Sequence, residues 1–168
     1  MRTYILSLIL LIGLPTLTFS QSNTYPQIKS LKGFLFYNQN KIGEKSGGTL
    51  SENIIDNKDF YLWNTIIGEG SAKGTSQNTL IVVEIINNPK EHSINGNVRL
   101  TVTDEKNKVI FTQVQDYSIF EKGNIFSAPF LLYETGCGNI KIKAELLDKS
   151  KKKVISKMEK SIEFNCGE

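Results

Sequence analysis

The side chains that could carry chemistry are few and dispersed. His92 is the single histidine, set in Pro89-Lys90-Glu91-His92-Ser93, and a Ser-His-Asp triad or a Cys-His protease would have to use it. No Gly-x-Ser-x-Gly elbow accompanies it, because Gly70-Ser71-Ala72-Lys73-Gly74 has the wrong order. His92 therefore reads as a solvent-exposed loop residue. The stretch Gly68-Glu69-Gly70-Ser71-Ala72-Lys73-Gly74 is rich enough in glycine to cradle a phosphate. A dinucleotide fingerprint, however, needs glycine where Lys73 stands, and a Walker loop needs Gly-Lys-Ser/Thr where the chain has Gly74-Thr75. It reads as a flexible connector. Paired carboxylates could hydrolyse glycosides; the candidates are Asp56 with Asp59, Glu69, and Asp104 with Glu105. Each has a plainer reading as a turn or helix-cap residue. Asp56-Asn57-Lys58-Asp59 matches no calcium loop, and Lys58 sits among the would-be ligands. No catalytic residue, cofactor-binding residue or metal ligand is assigned, and no cofactor is expected.

Two residue sets keep a specific role. The cysteines, Cys137 and Cys166, are the only two in the chain, and alone they cannot complete a tetrahedral zinc site. In an oxidising compartment they can form a single disulfide without ambiguity of pairing. The segment Phe60-Tyr61-Leu62-Trp63-Asn64-Thr65-Ile66-Ile67-Gly68-Glu69-Gly70 holds the only tryptophan beside a tyrosine and a glycine-flanked acid. Tyr61, Trp63 and Glu69 are its candidate recognition surface, since Trp and Tyr anchor many interfaces. The competing reading puts Trp63 in the core, and on it Trp63→Ala mainly lowers stability.

The elements that would position these residues are β-strands. Residues 79–86, Thr-Leu-Ile-Val-Val-Glu-Ile-Ile, form a β-branched run fit for a central strand, ended by Asn87-Asn88-Pro89. Val98, Leu100 and Val102 alternate with Arg99, Thr101 and Thr103, and after the turn at residues 104–107 a partner strand returns over residues 108–114. Phe126, Ala128, Phe130 and Leu132 share one face of a further strand, which Pro129 confines to an edge or a bulge. Ile140, Ile142, Ala144 and Leu146 open a final hairpin with a charged tip over residues 148–153. Lysines there are the charge expected of a solubilising, edge-guarding tip. Val154, Met158, Ile162, Phe164 and Cys166 would form the inward phase of the returning strand, bringing Cys137 and Cys166 to one end of the ribbon. A first strand is expected over residues 31–37, and the only helix candidate lies near residues 59–67, with Asp59 as its cap.

Residues 1–20 read as a secretory signal peptide: Arg2, an apolar block over residues 5–14, and small residues at Thr18 and Ser20. Residues 21–33 form a loose lead-in, and residues 34–168 a single sandwich domain. Beyond the signal the chain carries 19 basic and 17 acidic side chains, too balanced for a nucleic-acid binder. No later apolar stretch approaches the roughly 18 residues of a membrane span. Lysine far outnumbers arginine, and Asn and Ile abound, the composition of an AT-rich bacterial genome.

The strand number and spacing over residues 79–166 resemble immunoglobulin-like and fibronectin-like domains, although Trp63 precedes both cysteines and the antibody Cys-Trp-Cys order is absent. The fold class is thus all-β, a single antiparallel β-sandwich. The expected function is a secreted or periplasmic, non-catalytic module that binds a protein or glycan partner, as an envelope or extracellular accessory. The alternatives are a small secreted hydrolase using a carboxylate pair and a structural domain of a surface layer.

Overall fold

Period-two alternation turns into strand after strand. The computed structural model describes residues 26–37, 49–55, 61–62, 78–87, 93–121, 124–133 and 138–165. In chain order these form β1 (Gln27–Tyr37), β2 (Thr49–Leu50), β3 (Tyr61–Leu62), β4 (Asn78–Ile86), β5 (Ile94–Thr103), β6 (Val109–Ile119), β7 (Ile125–Tyr133), β8 (Ile140–Leu147), β9 (Val154–Ile162) and β10 (Phe164–Asn165). No helix occurs among the described residues, and so none there is long and apolar enough to cross a membrane.

The long strands divide into two antiparallel sheets, ordered β2-β1-β4-β7 (sheet I) and β6-β5-β8-β9 (sheet II). Consecutive strands change sheet between β4 and β5, β6 and β7, and β7 and β8, the Greek-key habit of immunoglobulin- and fibronectin-like sandwiches. The core lies between the sheets. Leu31, Leu35, Ile81, Val83, Ile85, Ala128, Phe130 and Leu132 of sheet I face Val98, Leu100, Val102, Ile140, Ile142, Ala144 and Leu146 of sheet II, all fully buried. β4 is central in its sheet, which explains its nearly unbroken apolar run. Its outward residues Leu80 and Val82 pair across to Phe34 and Leu131, and to Lys32 and Pro129, respectively. Pro129 lies on β7, an edge strand of sheet I, where a missing N–H is tolerated.

Three sequence expectations change. Residues 27–33 are not a lead-in but the first half of β1, with Ile28 and Leu31 buried. A bulge between Ile28 and Ser30 shifts the phase, so the inward residues are three apart and the alternation is hidden in the sequence. In the window 59–67, Tyr61 and Leu62 are strand rather than helix. Parallel pairing with Phe164 and Asn165 gives their backbone groups a tertiary partner that outweighs local propensity; the other residues of that window lie outside the described residues. Val154 is exposed, not inward, because the register shifts beside Leu147 and Ile155 packs against the core in its place.

Candidate functional site

The starts of β5, the end of β6 and the tip between β8 and β9 meet at one corner of sheet II. There Asn95 and Asn97 of β5, Asp116 and Ser118 of β6, and Lys149 and Lys151 of the tip surround a groove of about 480 Å³, with Gly96 and Tyr117 between them. On β5 the inward residues are Val98, Leu100 and Val102, so Asn95 and Asn97 belong to the outward face, beside Asp116, which pairs with Asn97.

The tip is held by Asp148. Its carboxylate accepts the backbone N–H of Lys152 at 2.9 Å and of Lys153 at 3.2 Å, and the Ser150 hydroxyl at 2.7 Å. The Ser150 hydroxyl, with the Lys153 amide next, holds the Asp148 carboxyl below the usual carboxylate range. Lys151 takes the left-handed backbone at φ 59°, which turns the loop over. Asn97 then ties tip to sheet: its Nδ2 donates to the Asp148 carbonyl at 3.3 Å. Asn97 is buried, and its Oδ1 has no hydrogen-bond partner among the described residues.

Tyr117 stands opposite Gly96 in the ladder. A Cβ at position 96 would lie 2.7 Å from the tyrosine oxygen, so only glycine lets the ring lie across the strand. The hydroxyl is buried without a partner among the described residues, and burial pushes the phenol up to about 12. Its ring centroid lies 6.0 Å from that of Phe126. Tyr117 is therefore a neutral packing residue that fixes the shape of this corner.

The groove offers donors from two ammonium groups, amides and a hydroxyl, and acceptors from Asp116 and the asparagines. Lys151 Nζ lies 3.9 Å from Asp116 Oδ1, with both side chains largely exposed, a contact weak enough to yield to a ligand. Among the described residues, neither histidine nor cysteine lines it. Such a set can hold a hydroxylated or anionic ligand.

Other acids serve the scaffold. Glu84 accepts Lys32 at 2.7 Å and the Ser30 hydroxyl at 2.6 Å, and these bonds, Lys32 first, lower its pKa. Glu145 is buried, which pushes its carboxyl up, but hydrogen bonds from Lys143 and Arg99, each as short as 2.6 Å, outweigh that and hold it below its usual range. Asp104 caps its turn by accepting the amides of Lys106 and Lys108, and Glu105 accepts the amide of Asn139 at 2.8 Å. No group of three or more His, Cys, Asp or Glu able to hold a metal occurs among the described residues.

Of the recognition residues read from sequence, the backbone of Tyr61 is placed, alongside Phe164. Trp63, Glu69, Cys137 and Cys166 lie outside the described residues, as do His92, Asp56, Asp59 and residues 68–74. The groove was missed in the sequence because its members come from three separate segments. One signal was present: Asn95-Gly96-Asn97 at a strand start, where a glycine marks a close approach.

The fold and this corner define a class, a β-sandwich of immunoglobulin- and fibronectin-like topology with an open polar groove. No family model matches the chain, and no curated protein matches it. Among solved structures the chain is similar to a β-glucuronidase from glycoside hydrolase family 2, with TM-score 0.43 and 15% identity over 52% of this chain. The match spans 10% of that enzyme's chain.

Proposed function

We propose that this protein is a non-catalytic β-sandwich module that works outside the cytoplasm by binding, and that the groove at the β8–β9 tip receives a hydroxyl-rich glycan ligand. The observation that carries this reading is the convergence of Asn95, Asn97, Asp116, Ser118, Lys149 and Lys151 on one open volume. Hydrogen-bonding groups of both senses suit vicinal hydroxyls, each of which donates and accepts. Titration calorimetry of the exported chain against a panel of soluble oligosaccharides tests it. Binding should appear for part of the panel and weaken about tenfold in Asp116→Ala, a loss typical of one charged hydrogen bond. Silence across the panel, or binding indifferent to Asp116→Ala and Lys149→Ala, rejects the groove.

Export and the Cys137–Cys166 bridge belong to the same proposal. The described β8–β9 ladder runs to Ile140 opposite Ile162, close in sequence to both cysteines. Secreted protein should begin at Gln21 and, without reductant, weigh two hydrogens less than the dithiol. Two free thiols in the exported form would refute the bridge.

A further inference from the structure

A β-strand sends alternate side chains to opposite faces, so the register of sheet II fixes what its outward face carries. With Val98, Leu100, Ile142 and Ala144 buried in the core, the residues between them face out. Three cross-strand rows follow: Asp116-Asn97-Leu147-Val154, Val114-Arg99-Glu145-Lys157 and Thr112-Thr101-Lys143-Glu159. Beyond them Thr103 pairs with Lys141. Lys149 and Lys151 continue this face at the tip, where they line the groove.

The charges of the face are Arg99, Lys141, Lys143, Lys149, Lys151 and Lys157 against Asp116, Glu145 and Glu159, an excess of three cations. The formal net charge of the whole chain is also +3, so cations and anions elsewhere in the sequence cancel. The near-neutral total conceals a segregated positive field. Its acids are already answered. Glu145 holds Arg99 and Lys143, Asp116 lies 3.9 Å from Lys151, and Glu159 stands opposite Lys143 in the ladder. Asp148, next to Lys149 in sequence, spends its carboxylate on Ser150 and the amides of its own turn. Among the described residues, Lys141, Lys149 and Lys157 enter no ion pair. Arg99 and Lys143 are fixed by Glu145 yet keep 37% and 43% of their side chains exposed, so they meet an incoming anion already ordered.

We propose that this face binds an acidic glycan chain, seated in the groove and laid along the outward side of β8. The inference rests on the glycan reading above and names the class of glycan. Charge complementarity selects the occupant. No aromatic side chain stands in the outward rows, so nucleic-acid bases find no stacking platform there. Thr101, Thr103 and Thr112, with Asn95 and Ser118 in the groove, instead offer hydroxyls and amides to sugar hydroxyls. From Lys141 to Leu147 the face runs roughly 20 Å before the tip begins, longer than one sugar ring, so the occupant is a chain.

Titration calorimetry of the exported chain with oligogalacturonate and its neutral methyl ester tests this. The acid should bind at least about tenfold more tightly than the ester. Its affinity should rise with oligomer length and fall as salt is added. Lys149→Glu and Lys157→Glu should each weaken it about tenfold, whereas Lys29→Glu, the same charge change at an exposed position on sheet I, should leave it unaltered. Circular dichroism checks that each variant is folded, and Lys149, on the exposed tip, keeps the test independent of the β8–β9 ladder. Equal affinity for acid and ester, or an equal loss in Lys29→Glu, overturns the acidic face while the glycan reading stands. Failure of both sugars to bind rejects the two together. Single-stranded DNA of matched charge binding as tightly as oligogalacturonate overturns the choice of a glycan.

Discussion

At the scale of single residues, buried polar atoms without partners mark where the core is not optimised. Thr79 Oγ1 and the Tyr117 hydroxyl are both buried and unpaired among the described residues. Deleting such a group while keeping its shape removes a desolvation cost and no bond, so Thr79→Val should leave stability unchanged or raise it by about 1 kcal/mol in urea titration. Tyr117→Phe should behave likewise at neutral pH and carry a further signature. The Tyr117 phenol is raised from 10.0 to about 12 in the folded state, so above pH 10 the unfolded chain loses this proton first. Its contribution is full below pH 10 and is lost as pH rises through about 12. Wild type should therefore weaken in that window more steeply than Tyr117→Phe, as thermal melts at stepped pH would show; parallel slopes would refute the burial. Gly96→Ala should destabilise, because the added Cβ meets the tyrosine oxygen at 2.7 Å.

At the scale of elements, side chains do work that strands cannot. β1 has only a two-residue partner in β2, and Asn53 completes its edge by accepting Gly33 N–H. Asn53→Ala leaves that donor half-shielded and unmet, with an expected loss of about 1–2 kcal/mol in chemical denaturation. On the outward face of sheet II, Glu145 is buried between Arg99 and Lys143 and joins β5 to its own strand β8. Its pKa and that of Glu84 are lowered in the folded state. Their contributions are present above the ordinary carboxylate range and vanish as pH falls through the lowered values. Stability should decline on acidification, and Glu145→Gln should flatten that acid limb while costing stability at pH 7. An unchanged acid limb in the variant would show that the network does not act this way.

At the scale of the whole molecule, two sheets cover one continuous core, and what lies outside it decides function. Among the described residues, sheet I closes its β1 edge with residues 49–54 and carries proline on its β7 edge, and sheet II builds the groove where β5, β6 and the β8–β9 tip meet. The groove thus lies at one corner of sheet II, outside the core.

The β class and the sandwich followed from the sequence, because alternation along β5, β8 and the inward face of β7 is a local, period-two property that needs no distant residue. The central place of β4 followed too, from its β-branched run bounded by Asn87. Tertiary structure alone decided the rest. The bulges at Lys29, Ile110 and Ile155 change phase where a neighbouring strand demands it, so β1 was half hidden and Val154 faced the wrong way. Tyr61 and Leu62 became strand because β10 arrives beside them. The groove exists only once the ends of β5, β6 and the β8–β9 tip are packed together, and such convergence leaves no spacing in the chain to read.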